Sequence, residues 1–224
     1  MRANARRRTR IGMVLDPQGF VVLDAPPNVS LDEVHAVIRE HGRWLKYRLQ
    51  ALESRDGLSS RLSYTDGEIV HWRGEALTLR LISDLFLSVE RVDRVLEVRA
   101  PSIEPRPVRR LLTGWYQREA QQYFAQVLEG YRDLPWLDGT LPPWRHRFMR
   151  SQWGSCSSSG KLSFNTHLVK TPQRLVEYVV LHELCHLQHH NHSRRFHALV
   201  SRYMPDWERR SSELDRYLPV LMQG

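Results

Sequence analysis

The run His182-Glu183-Leu184-Cys185-His186 limits this chain most, because it ends an apolar stretch, Leu175-Val176-Glu177-Tyr178-Val179-Val180-Leu181. An apolar run leading into two histidines requires a helix buried over most of its circumference. Residues four apart share a helix face, so His182 and His186 present two imidazoles to one point. Two buried histidines one turn apart, with a carboxylate between them, are poorly explained by packing, because buried polar groups need partners. A metal ion satisfies both rings. Nitrogen ligands at about 2.0–2.1 Å in a tetrahedron suit zinc, one ion per chain. Glu183 is turned about 100° from His182. Its carboxylate can then lie beside a zinc-bound water without ligating and take that water's proton.

Two histidines fill half a tetrahedron, and water takes one further position. His192 is the favoured third ligand, giving His-x-x-x-His-x-x-x-x-x-His, the spacing of the metzincin motif. Where that motif has a glycine this chain has His189, and Asn191 is expected to supply the left-handed turn instead. Ser193 would cap a helix from Arg194 to Met204, leaving His192 in the corner between two helices. His189 lies about 10 Å along the axis from His182, too far to complete one tetrahedron with both. It is expected behind a ligand or facing substrate. Glu208 and Glu213, on a short helix expected over Asp206 to Leu218, are competing ligands. Cys156 is another, since a thiolate would close the tetrahedron and make the site structural; its plainer reading is a small buried hydrophobe. Cys185 points away from the shared histidine direction and is expected in the core.

The chain has 224 residues, 41% of them hydrophobic, enough for one large domain or two small ones. Lys and Arg number 33 against 25 Asp and Glu, a formal net charge of +8. Part of the excess is local, in Arg2, Arg6, Arg7, Arg8 and Arg10. Such a basic tail suits nucleic acid, acidic lipid or an acidic substrate, and its plainer reading is a solvated terminus. No apolar run is long enough to span a membrane, and the arginines precede no apolar signal segment. Two cysteines make no disulfide framework, so a reduced, cytoplasmic compartment fits best.

In chain order, Arg10 to Leu23 reads as a hairpin about Asp16-Pro17-Gln18-Gly19. Ser30-x-x-Glu33 is a capping box opening a helix over about 30–54. Strands are expected at Ile69–Trp72, Leu77–Ile82, Leu85–Glu90 and Val95–Arg99, and Pro101–Pro107 as a connector. A long helix follows over Val108–Tyr131. Strands are expected at Arg147–Trp153 and Lys161–Val169, joined by a serine-rich turn. Thr171 would cap the helix carrying the histidines, with Pro172 at its first position. The expected fold class is α+β. A β-rich N-terminal part with one long helix, residues 1–104, precedes a catalytic half, 105–224, built on a small antiparallel sheet.

Several blocks together resemble a known family: Met149-Arg150-Ser151-Gln152-Trp153-Gly154-Ser155-Cys156-Ser157, Leu162-Ser163-Phe164-Asn165, His182 to Leu187, and Asn191-His192-Ser193 with Phe196. They are similar to the YgjP-like metal-dependent hydrolases, grouped with the zincin metallopeptidases and related to the SprT-like proteases. The likeness extends upstream through the N-terminal hairpin, Asp66-Gly67-Glu68 and Trp115-Tyr116. It implies a zincin-like catalytic half with His182, His186 and His192 as zinc ligands and Glu183 as general base.

The function expected is metal-assisted hydrolysis of a peptide or unfolded-protein substrate, with zinc-bound water attacking the carbonyl. In zincins an edge strand before the metal helix pairs with substrate; here Lys161–Val169 is expected to do so, with Asn165 and His167 facing the cleft. Arg150, His189, His197 and Tyr203 are candidates to contact substrate or its oxyanion. Two other classes stay open. One is a metal-dependent nucleotide phosphoanhydride hydrolase, which no Gly-rich phosphate loop supports. The other is a non-catalytic zinc domain binding nucleic acid through the basic surface, which would leave Glu183 dispensable.

Overall fold

The computed structural model describes residues 2–3, 12–15, 21–25, 30–40, 42, 62–149 and 152–217. The chain divides into two compact units, Met1–Ser59 and Ser60–Gly224. The division expected after residue 104 falls inside the second unit.

In the first unit, β1 (Arg2–Ala3) runs parallel to β3 (Val21–Ala25), which pairs antiparallel with β2 (Gly12–Leu15). The β2–β3 hairpin is the one expected; its turn lies outside the described residues, as does Arg6 to Arg10 of the basic tail. Helix α1 (Leu31–Glu40) opens on the capping box. Glu33 N–H donates to Ser30 Oγ at 3.2 Å and Ser30 N–H to Glu33 Oε2 at 2.9 Å. The helix was expected to about residue 54; apart from Gly42, everything from residue 41 to 61 lies outside the described residues.

The second unit begins with a four-stranded sheet of β4 (Ile69–Trp72), β5 (Glu75–Ser83), β6 (Ser88–Val92) and β7 (Val95–Ala100), in the order β4-β5-β7-β6. Strand β7 lies between β5, to which it is parallel, and β6, to which it is antiparallel. The strand expected from Leu85 starts at Ser88 instead. Asp84 Oδ1 accepts from Phe86 N–H at 3.2 Å, and Asp84 N–H bonds Ala100 O at the end of β7. That side-chain turn ends the ladder and leaves Leu85 to Leu87 as a connection. Leu77, Leu79, Leu96 and Val98, all nearly or fully buried, turn one face of the sheet to the core.

Helix α2 (Pro105–Glu129) enters that core with Leu112, Tyr116, Phe124 and Leu128. It starts inside the expected connector because Pro105 and Pro107 fit its first turn, where their missing N–H groups cost nothing. Strand β8 (Trp144–Arg147) follows, then β9 (Gly154–Cys156) and β10 (Leu162–Asn165), in the order β8-β10-β9. The expected strand at Arg147–Trp153 lies earlier, at β8, where Trp144 and His146 pack on Phe164 and Phe124. The sheet is mixed, for β10 is parallel to β8 and antiparallel to β9. The chain is thus an α+β protein.

The returning strand also stops early. After Asn165 the chain forms a 3₁₀ helix, Thr166–Lys170, with Asn165 Oδ1 accepting from His167 N–H at 3.1 Å. Helix α3 (Gln173–Cys185) carries the histidine motif and has Leu175, Val176, Val180, Leu181, Leu184 and Cys185 fully buried. Pro172, not Thr171, is its N-cap residue. Thr171 Oγ donates back to Leu168 O at 2.8 Å. Helices α4 (Arg194–Tyr203) and α5 (Trp207–Arg216) close the chain. Among the described residues, no helix is long and apolar enough to cross a membrane.

The two parts of this unit meet at the β4–β5 hairpin. Arg73 (φ 48°) and Gly74 (φ 84°) form its two-residue turn. Their N–H groups donate to Val169 O (2.7 Å) and Lys170 O (3.0 Å) of the 3₁₀ helix. A Cβ on Gly74 would stand 2.6 Å from Pro172 Cγ. Gly74→Ala should therefore lose about 2–4 kcal/mol of stability, the left-handed backbone and the clash combined, read as a lowered urea midpoint.

Lys170 is 2% exposed, with its Nζ 4.8 Å from the Tyr116 ring centroid. Burial pulls its ammonium from the ordinary 10.5 down to about 7. Between those values the unfolded chain holds a proton that the folded chain does not, so this group makes stability rise with pH through that window. The contribution is complete above about 10.5 and lost as pH falls through about 7. Urea midpoints compared at about pH 6 and about pH 9.5 should show this rise, and Lys170→Met should flatten it.

Candidate metal centre

Two helix termini and the turn between them bring the histidines together. His182 and His186 lie at the C-terminal end of α3, with His186 as its C-cap residue. The chain then turns through residues 187–192 without a left-handed residue: Asn191 is absent from the positive-φ positions. Consecutive bonds from Leu187, Gln188 and His189 N–H to Leu184 and Cys185 carbonyls tighten the last turn instead. Ser193 caps α4, its Oγ accepting from Phe196 N–H at 3.4 Å. His192 is thereby set in the corner between α3 and α4.

The Nε2 atoms converge. His182 Nε2 lies 3.2 Å from His186 Nε2 and 3.0 Å from His192 Nε2. Around nitrogen ligands at 2.0–2.1 Å, the edge of a tetrahedron is about 3.3 Å, so these separations fit one small ion. Among the described residues, His182, His186 and His192 form the group of potential ligands close enough to hold a metal. Glu213 instead binds Arg174 through both carboxylate oxygens. Cys156 Sγ contacts Ser157 O at 3.5 Å, and burial pushes its thiol up to about 11. Neither Glu208, Glu213 nor Cys156 joins the histidines.

Protonation also favours a ligand. Burial, followed by the charges of His186, His192 and His197, holds His182 well below its usual range. A neutral imidazole is the form that ligates. His186 Nδ1 lies 2.9 Å from His189 O. A carbonyl only accepts, so Nδ1 carries the proton and Nε2 keeps its lone pair for the centre. His189 thus acts on the site through its backbone. Phe196, 1% exposed, stands under all three rings, at centroid distances of 4.9, 4.5 and 4.8 Å to His182, His186 and His192. On the outer side His197 stacks between His192 (6.1 Å) and Trp207 (5.1 Å). Tyr203 meets Trp136 edge-on at 5.3 Å, and the Trp136 indole N–H donates to Leu184 O at 3.1 Å.

Glu183 is 5% exposed, and burial raises its carboxyl to about 8. Its Oε2 has no hydrogen-bond partner among the described residues. Gly154 of β9 lies directly against it: a Cβ there would stand 2.6 Å from Oε1 and 2.7 Å from Cγ. A glycine inside a strand marks such a close approach, and Trp153-Gly154-Ser155 carried that signal in the sequence.

Asn165 and His167 do not line this centre in the expected way. Strand β10 is the central strand of its sheet, with both edges taken, so it offers no edge to a substrate. All four of its residues are buried, so its alternation separates two covered faces. The Asn165 amide donates to Met149 O and Gln152 O, both at 2.9 Å, and its oxygen accepts from Met149 N–H and His167 N–H. It ties the 149–152 segment to the sheet. His167 is 7% exposed against Phe148, and burial with Lys170 pulls its ring down to about 3. Arg150 lies outside the described residues.

Comparison with known protein families matches residues 9–217 to the YgjP-like, metallopeptidase domain. No curated protein matches the chain. Among solved structures, that of the metallopeptidase zymogen of Methanocaldococcus jannaschii jannalysin is similar over 44% of this chain and 96% of its own. The identity there is 18% and the TM-score 0.35. The family match spans both units and the whole histidine cluster, and this chain belongs to the YgjP-like metallopeptidases, hydrolases that depend on a metal ion.

Proposed function

We propose that this protein is a zinc-dependent peptidase of the HExxH kind. In this reading His182, His186 and His192 hold one zinc ion, and Glu183 is the general base. The observation that carries it is the convergence of His186 and His192 Nε2 to 3.2 and 3.0 Å from His182 Nε2, next to a buried glutamate whose Oε2 has no hydrogen-bond partner among the described residues. When bound, the ion would act as a Lewis acid on the scissile carbonyl and make the attacking water more acidic.

The remaining work falls to the chain. Glu183 takes the water's proton and returns it to the leaving amine. Gly154 lets β9 pass close enough to fix that carboxylate in one position. The His189 carbonyl fixes the His186 tautomer. Strand β9 is paired on one side, to β10. Glu183 meets the face of β9 at Gly154, and the edge of β9 that has no partner among the described residues suits an extended peptide adding as a further strand. Peptides and unfolded segments are the substrates such an edge accepts. Both cysteines are free thiols, which fits a reducing compartment such as the cytoplasm.

Metal content per chain, measured on untagged wild type and His192→Ala side by side, tests the ligand set. One zinc per wild-type chain, lost or sharply weakened in the variant, is the expected result. Full retention by the variant would sink His192 as a ligand. Glu183→Gln should keep its zinc and lose about 10²–10⁴-fold in kcat on a peptide library. Gly154→Ala should also keep zinc, while displacing the carboxylate should lower kcat by about 10–10²-fold. Unchanged turnover in Glu183→Gln would remove Glu183 from the mechanism, and unchanged turnover in Gly154→Ala would remove the positioning role of the β9 glycine.

A further inference from the structure

A second site-like feature takes no part in the metal centre. Between β6 and the first half of α2 lies a groove of about 770 Å³. Leu87, Val89 and Leu111 supply its apolar lining, and Arg106, Arg110 and Arg118 its rim. Arg106, Arg110, Gly114 and Arg118 recur every four residues along α2, so they stand in one row on the helix. At Gly114 the row drops to bare backbone, and the Arg118 guanidinium leans over it, with Nη1 3.6 Å from where a Cβ would be. Beside the groove the Asp84–Leu87 connection exposes Leu85 (87%), Phe86 (77%) and Leu87 (66%). Consecutive bulky apolar side chains in solvent mark a contact surface.

The charges around the groove are unbalanced. Several neighbouring carboxylates are already engaged, Asp84 and Glu97 with Arg99, Glu97 also with Arg80, and Glu75 with Arg91, while Glu90 of β6 and Glu104 before α2 are in no ion pair among the described residues. Glu119 accepts from the Trp72 indole at 2.9 Å. Among the described residues, Arg106, Arg110 and Arg118 have no ion-pair partner. Past the N-cap residue Glu104 the first turn of α2 contains no acidic residue, so Arg106 stands near the positive end of the helix dipole. A departure from local electrostatic preference on a rigid helix is where a partner's charge is expected.

We propose that this groove is an exosite for an acidic polypeptide segment carrying bulky apolar side chains. Its carboxylates pair with the arginine row and its apolar side chains enter between Val89 and Leu111. The concave shape suits a chain better than a flat bilayer. Describing the occupant as substrate rests on the peptidase reading, whereas the binding itself needs no metal.

The test uses the full-length Glu183→Gln protein and fluorescence anisotropy of a labelled synthetic peptide alternating Glu with Leu and Phe. Two counterparts serve as controls, one with Lys in place of Glu and one with Ser in place of Leu and Phe. The first peptide should bind and the controls should bind about tenfold more weakly or worse. Added salt should weaken binding. Arg106→Gln with Arg110→Gln should weaken it about tenfold, with circular dichroism and urea midpoint unchanged. Adding His192→Ala should leave it unaltered. Equal binding of the acidic and basic peptides, or wild-type affinity in the double variant, would overturn the proposal. So would peptide-independent binding to phosphatidylglycerol vesicles that Leu85→Ser with Phe86→Ser abolishes, which would make the surface a membrane contact. Peptide binding as expected without any cleavage by wild type would leave the exosite standing and remove the peptidase reading. Cleavage without groove binding would do the reverse.

Discussion

Everything in the second unit answers to one constraint: a helix that is apolar on nearly all sides must carry two histidines and a glutamate at its end. Burial opposes charge on His182 and Glu183, pushing that imidazole toward neutrality and the carboxyl toward protonation. The fold meets this by closing the helix on its flanks and leaving its C-terminal turn open toward α4. Helix α2 and the β8–β10–β9 sheet cover the apolar flanks. Arg210 of α5 ties the remaining side, bonding Arg174 O, Glu177 and Asp206. The polar end of α3 is thus held by a rigid frame, which is how a preorganised site is built.

Within that frame the histidines are positioned by groups that do no chemistry. Phe196 gives the three rings a common floor, His197 and Trp207 back His192 from outside, and a main-chain carbonyl sets the tautomer of His186. Gly154 works by what it lacks, admitting the Glu183 side chain where any Cβ would exclude it. These contacts share a logic: three histidines with six side-chain torsions between them need packing on every side to present one geometry.

The sequence revealed features whose signal is local. Ser30 and Glu33 are a reciprocal cap, Ser193 caps α4, and the spacing of His182, His186 and His192 survives as real proximity. It was silent where the deciding partner is distant. Nothing local says that β8 runs parallel to β10, and that pairing takes its second edge and makes β10 central. The alternation of Phe164, Asn165 and His167 therefore looked like a cleft-facing edge. The early end of β10 has a similar cause, because the Asn165 side chain competes with the ladder for His167 N–H. The turn before His192 misled for another reason: three ordinary backbone bonds at the end of α3 do what a left-handed Asn191 was expected to do.

The Arg73–Gly74 turn fastens the start of the metal helix to a hairpin about a hundred residues earlier in the chain. The hairpin is local and needs little loop closure to form, whereas α3 must wait for its own segment to be made. During synthesis the β4–β7 sheet is made before the histidine motif, and its hairpin turn holds the 3₁₀ helix that leads into α3. The histidine corner follows the β4–β7 sheet in the order of synthesis, and α5, which ties α3 through Arg210, follows both. The histidine cluster therefore cannot be complete on a nascent chain before the hairpin that anchors its helix has been made.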